Sequence, residues 1–512
     1  VKGAEVALAG AALDSAATRA RGVRGAGWRT LAIGASCASG VVLAALRVKP
    51  QVWGDEGVWL SIGARLLRGD RLYVDVFDNK DPLFLYGYAA AMWVGGVRGP
   101  FVLEVVWLGV AALGMALALR ALGVGVVAML AGTLVYPFAL TAGWYFPGAT
   151  LMPALALAPV ALWLWVRGST IASGVVVVAS MLFKLNLGLL VAAPMFALLV
   201  LGGEEAPRRR RALEWLAGAL GALCAAALVL AGRGELHPYL DVIRYNLHYS
   251  NAGVNSGGVR AHIGVVREFF AASGKWQLPA AELSVVVLLL VAGVGWLRLA
   301  PSFKRVSVVA VGALAAAFVT LGTTAIFVEH LQLLAYPAAL GAAMTVVGLR
   351  GLWKPLGAAA AAACVVFALW SSLKLEDLAE LTIKTWTVKP VSVPGLALES
   401  TRRRVYPEGE RVTYAVLGRN TEDGNAAFVD RTMDLSCRYF HQYPFYREAQ
   451  LRETIDCARR AQPMLILVTS SLYDPMPGEP RWTAFVASVR RLLAARYELV
   501  TELGMSQVWR RR

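Results

Sequence analysis

Charge is scarce in this chain. Only 16% of its 512 residues are charged and 57% are apolar, with a mean hydropathy of +0.56. That balance excludes a soluble globular protein and predicts an integral membrane protein. The formal charge of +16 does not point to nucleic acid. Its basic residues cluster at the ends of apolar runs, as at Arg208 to Arg211, with no basic stripe interleaved with aromatics, so they read as topogenic charge on cytoplasmic loops. Cysteine is also sparse: of five, Cys37, Cys224 and Cys364 lie in apolar spans and only Cys437 and Cys457 in polar sequence. No CxxC, P-loop or GxGxxG pattern supports a nucleotide cofactor. His237, His248 and His262 include no i, i+4 pair, so a zinc site is not indicated. No small-residue cleavage site follows the first span, so residues 28 to 46 read as a retained helix.

What is present is a series of apolar spans bounded by arginines. Residues 1 to 27, with Arg19, Arg21 and Arg24, form a cytoplasmic tail. A transmembrane domain follows over 28 to 373, with a first outer loop at 47 to 99 and another at 232 to 278. Residues 82 to 97 are apolar but short, either a tilted span or a second surface helix, and the surface helix is preferred. Lys184 falls within the apolar stretch 170 to 201. Breaking that stretch into two short helices with Lys184 at the outer surface avoids an unpaired charge at mid-bilayer. The result is an α-helical polytopic membrane protein with about eleven spans, its N-terminus cytoplasmic. Residues 374 to 512 have the composition of a soluble domain: strands at 412 to 417 and 464 to 469, helices at 447 to 461 and 481 to 495, and a terminal strand pair. They predict a small extracytoplasmic α/β domain joined by an extended linker at 386 to 400.

The outer loop at 53 to 88 combines Asp55, Glu56, Asp70, Asp75, Asp78, Lys80 and Asp81 with Trp53, Trp59, Phe77, Phe84 and Tyr86. It is too charged for hydrocarbon and too apolar for a solvated linker, so it folds on the membrane surface, with a short helix from Asp55 to Leu67. Its Gly54-Asp55-Glu56 and Lys80-Asp81-Pro82 resemble the first outer loop of the polyprenyl-phosphate-sugar-dependent GT-C glycosyltransferases. That group includes protein O-mannosyltransferases, the lipid A aminoarabinose transferase and Rgt-like bacterial enzymes. The resemblance spans roughly 28 to 350, mostly as topology. Two positions depart from it: Asp81 stands where relatives have a first proline, and Gly148 where many have a second acid.

The resemblance implies inverting sugar transfer. A carboxylate beside the acceptor acts as base or orienting group, and cations stabilise the departing phosphate. Asp55 suits the first role, with Glu56 as helper or, with Asp55, as ligand to a divalent cation. Asp78, Lys80 and Lys184 are substrate contacts, the lysines toward phosphate, and His330 could reach the same phosphate. The bland alternatives are that Asp55 caps a helix and that Lys80 and Lys184 snorkel. In the 232 to 278 loop, Arg244 and His248, one helical turn apart, are the residues retained as substrate contacts. Cys437 and Cys457 could pair in an oxidising compartment, contributing about 3 kcal/mol, or remain separate thiols.

The reading is a bacterial plasma-membrane glycosyltransferase. It takes its sugar from a polyprenyl-phosphate carrier and passes it to an envelope glycan, lipid or protein, with the bilayer and no nucleic acid as its other partner. The rivals are a transporter or flippase of an envelope lipid or glycan, and a scaffold displaying the C-terminal domain.

Overall fold

The computed structural model describes residues 30–42, 44–45, 55–141, 150–201, 208–251, 301–323, 332–352, 355, 359, 393–418, 433–439, 447–469, 472, 480–503 and 506–512. The helical part begins with α1 (Thr30–Val42). After it come α2 (Asp55–Leu67), α3 (Pro82–Gly95), α4 (Gly99–Ala121), α5 (Val126–Leu140), α6 (Leu151–Val166) and α7 (Thr170–Phe183). It continues with α8 (Gly188–Leu201), α9 (Arg208–Gly232), α10 (Leu236–Asn251), α11 (Pro301–Thr323) and α12 (Ala335–Leu352). The helix α4 packs on α5 and α6, α6 on α7 and α8, α7 on α9, and α12 on α5 and α11. Among the described residues three helical runs are long and apolar enough to cross a membrane: Pro82–Ala121, Arg208–Gly232 and Gln332–Leu349.

The first of these runs is not one straight rod. A 3-10 turn at Gly96–Arg98 separates α3 from α4, and Gly96 has φ 58°. A Cβ on Gly99 would lie 1.9 Å from the Ala91 carbonyl oxygen, an approach that a continuous helix cannot make between residues eight apart. The chain therefore turns sharply at this point. At 14 residues, α3 is about 21 Å long, short of the roughly 30 Å hydrocarbon thickness.

The stretch 170 to 201 breaks at Lys184, whose extended backbone (φ −157°, ψ 105°) closes α7 before a 3-10 turn at Leu185–Leu187 leads into α8. The helices α7 and α9 meet backbone to backbone. A Cβ on Gly174 would lie 2.3 Å from the Trp215 carbonyl oxygen, and one on Gly218 2.1 Å from that of Ile171. Small residues permit this approach between apolar helices, where van der Waals contact does much of the holding.

The C-terminal part begins with α13 (Val393–Val405) and continues through β1 (Val412–Leu417), β2 (Met433–Leu435), α14 (Glu448–Ala461), β3 (Leu465–Thr469) and α15 (Pro480–Arg496) to β4 (Tyr497–Leu503) and β5 (Ser506–Arg511). The five strands run in the order β2-β1-β3-β5-β4. Strands β2, β1 and β3 are parallel, and β5 pairs antiparallel with both β3 and β4. The fully buried β3 and the largely buried β1 are the two apolar runs that the sequence offers as strands. One expectation is corrected here: 386 to 400 is not an extended linker throughout, because the chain is helical from Val393. Pro394 sits at the second helical position, where its fixed φ favours a helix start, and Ala397 and Leu398 are buried against the sheet.

Gly218→Val forces α7 and α9 apart and should cost about 1–3 kcal/mol. The expected readout is a lower melting temperature in detergent, whereas Gly221→Val, which meets open space, should leave it unchanged.

Candidate active site

The site is organised by a carboxylate at the foot of α3. Asp81 is 7% exposed and occupies the N-cap position of α3, but its side chain does not cap that helix. Its Oδ1 accepts the Tyr239 hydroxyl proton at 2.7 Å and its Oδ2 accepts the Leu185 N–H at 2.9 Å. One side chain thus joins the start of α3, the break between α7 and α8, and α10. Burial pushes the Asp81 carboxyl above its ordinary range. The bonds from Tyr239 and Leu185 and the charges of Lys184 and Lys80 oppose that push. Burial, with the Asp81 charge, holds the Tyr239 hydroxyl well above its ordinary value, so it stays a proton donor.

Both lysines are half-buried and close enough for their charges to act on Asp81. Lys80 ends a tight turn: its N–H donates to Asp78 Oδ1 at 2.9 Å, the Asx-turn pattern. Its carbonyl accepts the Tyr73 hydroxyl at 2.7 Å. Its Nζ lies 3.1 Å from Asn79 Oδ1 and 5.9 Å from the centre of the Trp59 ring, within cation–π range. Asn246 of α10 donates to the Asn79 carbonyl at 2.8 Å, and Tyr73 stacks on Tyr239 with ring centres 5.4 Å apart. Asp78 is buried at 1% exposure.

Two carboxylates that sequence reasoning passed over belong to this assembly. Glu235, fully buried at the α9–α10 junction, accepts the Leu72 N–H at 3.0 Å, the Tyr86 hydroxyl at 2.6 Å and Arg233 Nε at 2.9 Å. It ties the loop, α3 and α10 together a second time. Its only signal in the sequence is a lone acid beside an arginine at the end of an apolar run. Glu104 lies on α4, 4% exposed, and lines an otherwise apolar, half-open recess with Phe84, Tyr88, Trp107 and Phe183. An acid inside an apolar span was the available signal.

The other candidates divide. Asp55 is the first residue of α2, and its side chain lies outside the described residues; Glu56 beside it is fully buried. Arg244 is not brought to the lysines: it is exposed and donates to Asp241 at 2.9 Å on its own helix, while Tyr239 and Asn246 turn toward the loop. His248 is on α10 with its side chain outside the described residues, and His330 lies outside them altogether. Cys437 and Cys457 are joined as a disulfide, with Cα atoms 5.9 Å apart. Among the described residues no cluster of three or more His, Cys, Asp or Glu side chains is arranged to hold a metal ion.

Comparison with solved structures assigns the architecture: the chain has the fold of the GT-C glycosyltransferases. The structure of ArnT from Cupriavidus metallidurans bound to undecaprenyl phosphate matches 94% of this chain and 98% of its own, with a TM-score of 0.57 and 14% identity. Arabinofuranosyltransferase AftD from Mycobacteria matches 93% of this chain and 39% of its own (TM-score 0.51, 15% identity). The archaeal oligosaccharyltransferase AglB from Archaeoglobus fulgidus, in complex with an inhibitory peptide and a dolichol-phosphate, matches 92% and 74% (TM-score 0.50, 11% identity). No protein-family model matches the chain, and no curated protein matches its sequence.

Asp81→Ala would leave the Tyr239 hydroxyl and the Leu185 N–H without their acceptor and should cost about 2–4 kcal/mol; Asp81→Asn, which keeps one acceptor oxygen, should cost less. Because the folded-state pKa of Asp81 is raised, its contribution to stability is fully present below the ordinary carboxylate value and is lost as pH rises through the raised one. Thermal unfolding of wild type against Asp81→Asn over that acid range should show this difference.

Proposed function

We propose that this protein is a membrane glycosyltransferase that takes a sugar from a polyprenyl-phosphate carrier and transfers it to a cell-envelope glycan, lipid or protein on the extracytoplasmic face. The observation that carries the reading is the buried carboxylate of Asp81, which follows Lys80 in the chain and accepts the N–H of Leu185, the residue after Lys184. That bond brings the backbones of two lysines distant in sequence to one point. A phosphate that gains charge as the sugar departs needs such preorganised positive charge. The recess between Phe84, Trp107 and Phe183 adjoins this point and suits the first isoprene units of a carrier. The GT-C fold supports the same class of reaction, and the matched ArnT structure holds undecaprenyl phosphate.

In the proposed chemistry the bond between the anomeric carbon and the phosphate oxygen breaks. The acceptor hydroxyl oxygen attacks from the opposite face with inversion, and its proton passes to a carboxylate. The polyprenyl phosphate leaves with its charge countered by Lys80 and Lys184. Asp55 is assigned as that carboxylate, and Glu56 as its helper or, with Asp55, a ligand to a divalent cation. Asp78 sets the Lys80 turn, while Arg244, His248 and His330 remain candidates for acceptor or phosphate contact. The eleven spans, the cytoplasmic N-terminus, the bacterial origin and the extracytoplasmic place of residues 374 to 512 belong to the same proposal.

In reconstituted membranes supplied with polyprenyl-phosphate sugars and envelope acceptors, Asp55→Asn should abolish transfer, and Lys80→Ala and Lys184→Ala should each lower it about 100-fold. Full activity in Asp55→Asn would remove the assigned base. The same assay with excess chelator measures whether a divalent cation takes part.

A further inference from the structure

The turn that carries Asp78 and Lys80 is held from one side by the C-terminal domain. Backbone atoms of the segment 433 to 439 supply the acceptors. The Phe77 N–H, one residue before Asp78, donates to the Arg438 carbonyl at 3.1 Å, and Arg65 Nη1 of α2 donates to the Cys437 carbonyl at 3.0 Å. Arg65 is a fork with three partners. Its Nη2 reaches the Asp75 carbonyl at 2.8 Å, its Nε pairs with Asp70, and its side chain is only 12% exposed. Around these bonds Phe77 packs on Tyr439 with ring centres 4.9 Å apart, the Arg438 guanidinium lies over both rings, and Arg68 pairs with Asp434.

The segment 433 to 439 is also fixed from behind. It leaves β2 beside β1, where the Ser436 N–H donates to the Tyr414 carbonyl at 2.9 Å. Its Cys437 is then bonded to Cys457 on α14. Without the disulfide, a three-residue strand, the Ser436 hydrogen bond and the ion pairs of Asp434 with Arg411 and of Arg438 with Glu453 would hold a piece of chain whose carbonyls set the height of the loop. With it, the segment is anchored to a helix that packs on α15.

We propose that the disulfide-held segment 433 to 439 and Arg65 are a positioning device for the candidate site, fixing the Asp78–Lys80 turn against α3. Neither touches substrate; both act through the turn. The consequence for ligand binding rests on the function proposed above, whereas the consequence for the loop does not.

The test uses the full chain in detergent, comparing wild type, Arg65→Lys and the double variant Cys437→Ala/Cys457→Ala. Lysine keeps the charge of Arg65 but cannot serve three acceptors in one plane. Backbone amide hydrogen exchange at residues 70 to 80 should accelerate about ten-fold in both variants, while the amides of β3, in the middle of the sheet, stay as slow as in wild type. Affinity for undecaprenyl phosphate should fall about ten-fold in step with the exchange rate. Unchanged exchange at 70 to 80 in Arg65→Lys overturns the proposal, and so does acceleration that spreads equally through β3, which marks general destabilisation. If the double variant does not fold, Arg65→Lys alone decides. Should wild type fail to bind undecaprenyl phosphate, the functional reading falls, and the exchange result still judges the positioning device.

Discussion

The bonds of Asp81 are the constraint on which the rest depends. A carboxylate so buried is expensive unless its oxygens are met by donors, and here each oxygen has one, from Tyr239 and from the Leu185 backbone. The second bond matters most for the architecture. A helix broken within an apolar stretch exposes backbone groups that must find partners, and Leu185 is the residue just past the break. Asp81 supplies the partner, so the interruption that places Lys184 beside the loop is stabilised by the loop itself. Break and loop are mutually dependent features.

Around that point the loop is held on three sides by chemically different means. Glu235 gathers a backbone N–H, a phenol and a guanidinium on the α10 side. Trp59 meets Phe84 and Tyr88 edge to face, and those two rings lie tilted against each other, with ring centres 4.9 to 5.7 Å apart. The C-terminal domain contributes carbonyls and an arginine–aromatic sandwich above. This distribution suits a site whose charged groups must not rearrange during a reaction, because electrostatic stabilisation is effective only when its dipoles and charges are already placed.

Much of the fold was legible because it rests on local patterns. The apolar helices among the described residues, the break at Lys184, the helix from Asp55 and the strands expected at 412 to 417 and 464 to 469 follow from hydropathy, the cost of a buried charge and runs of β-formers. The span expected at 280 to 297 and nearly all of that expected at 355 to 373 lie outside those residues. The helix at Val393–Val405 was hidden because Pro394 and Gly395 read as breakers, although proline near a helix start is ordinary. The site was legible by residue type and not by geometry. Lys80 and Lys184 stood out as cations in apolar company, but nothing local distinguishes Tyr239 from the other tyrosines near it, or marks Glu235 as the acceptor for Leu72. Those assignments depend on which face of α10 turns inward. Arg244, one helical turn from His248 in the sequence, is exposed on α10, whereas Tyr239 and Asn246 of the same helix bond to the loop.

Asp81 also changes the meaning of a departure. Where the resemblance implies Lys-Pro-Pro, this chain has Lys80-Asp81-Pro82, and the sequence alone makes Asp81 look like a loss. Proline at 81 would keep the chain extended before α3, but it would offer no acceptor to Tyr239 or Leu185. The Asp81 side chain makes no capping bond to α3, and the helix start is set instead by Pro82 at the first helical position, which presets φ. The carboxylate is therefore released from a local duty and used for a tertiary one. Its negative charge acts on two lysines proposed to meet a phosphate, and this tempers their attraction for an anion while fixing where their backbones stand. A substitution that removed the charge and kept the acceptors would separate these effects, because tighter anion binding and looser geometry change affinity in opposite directions.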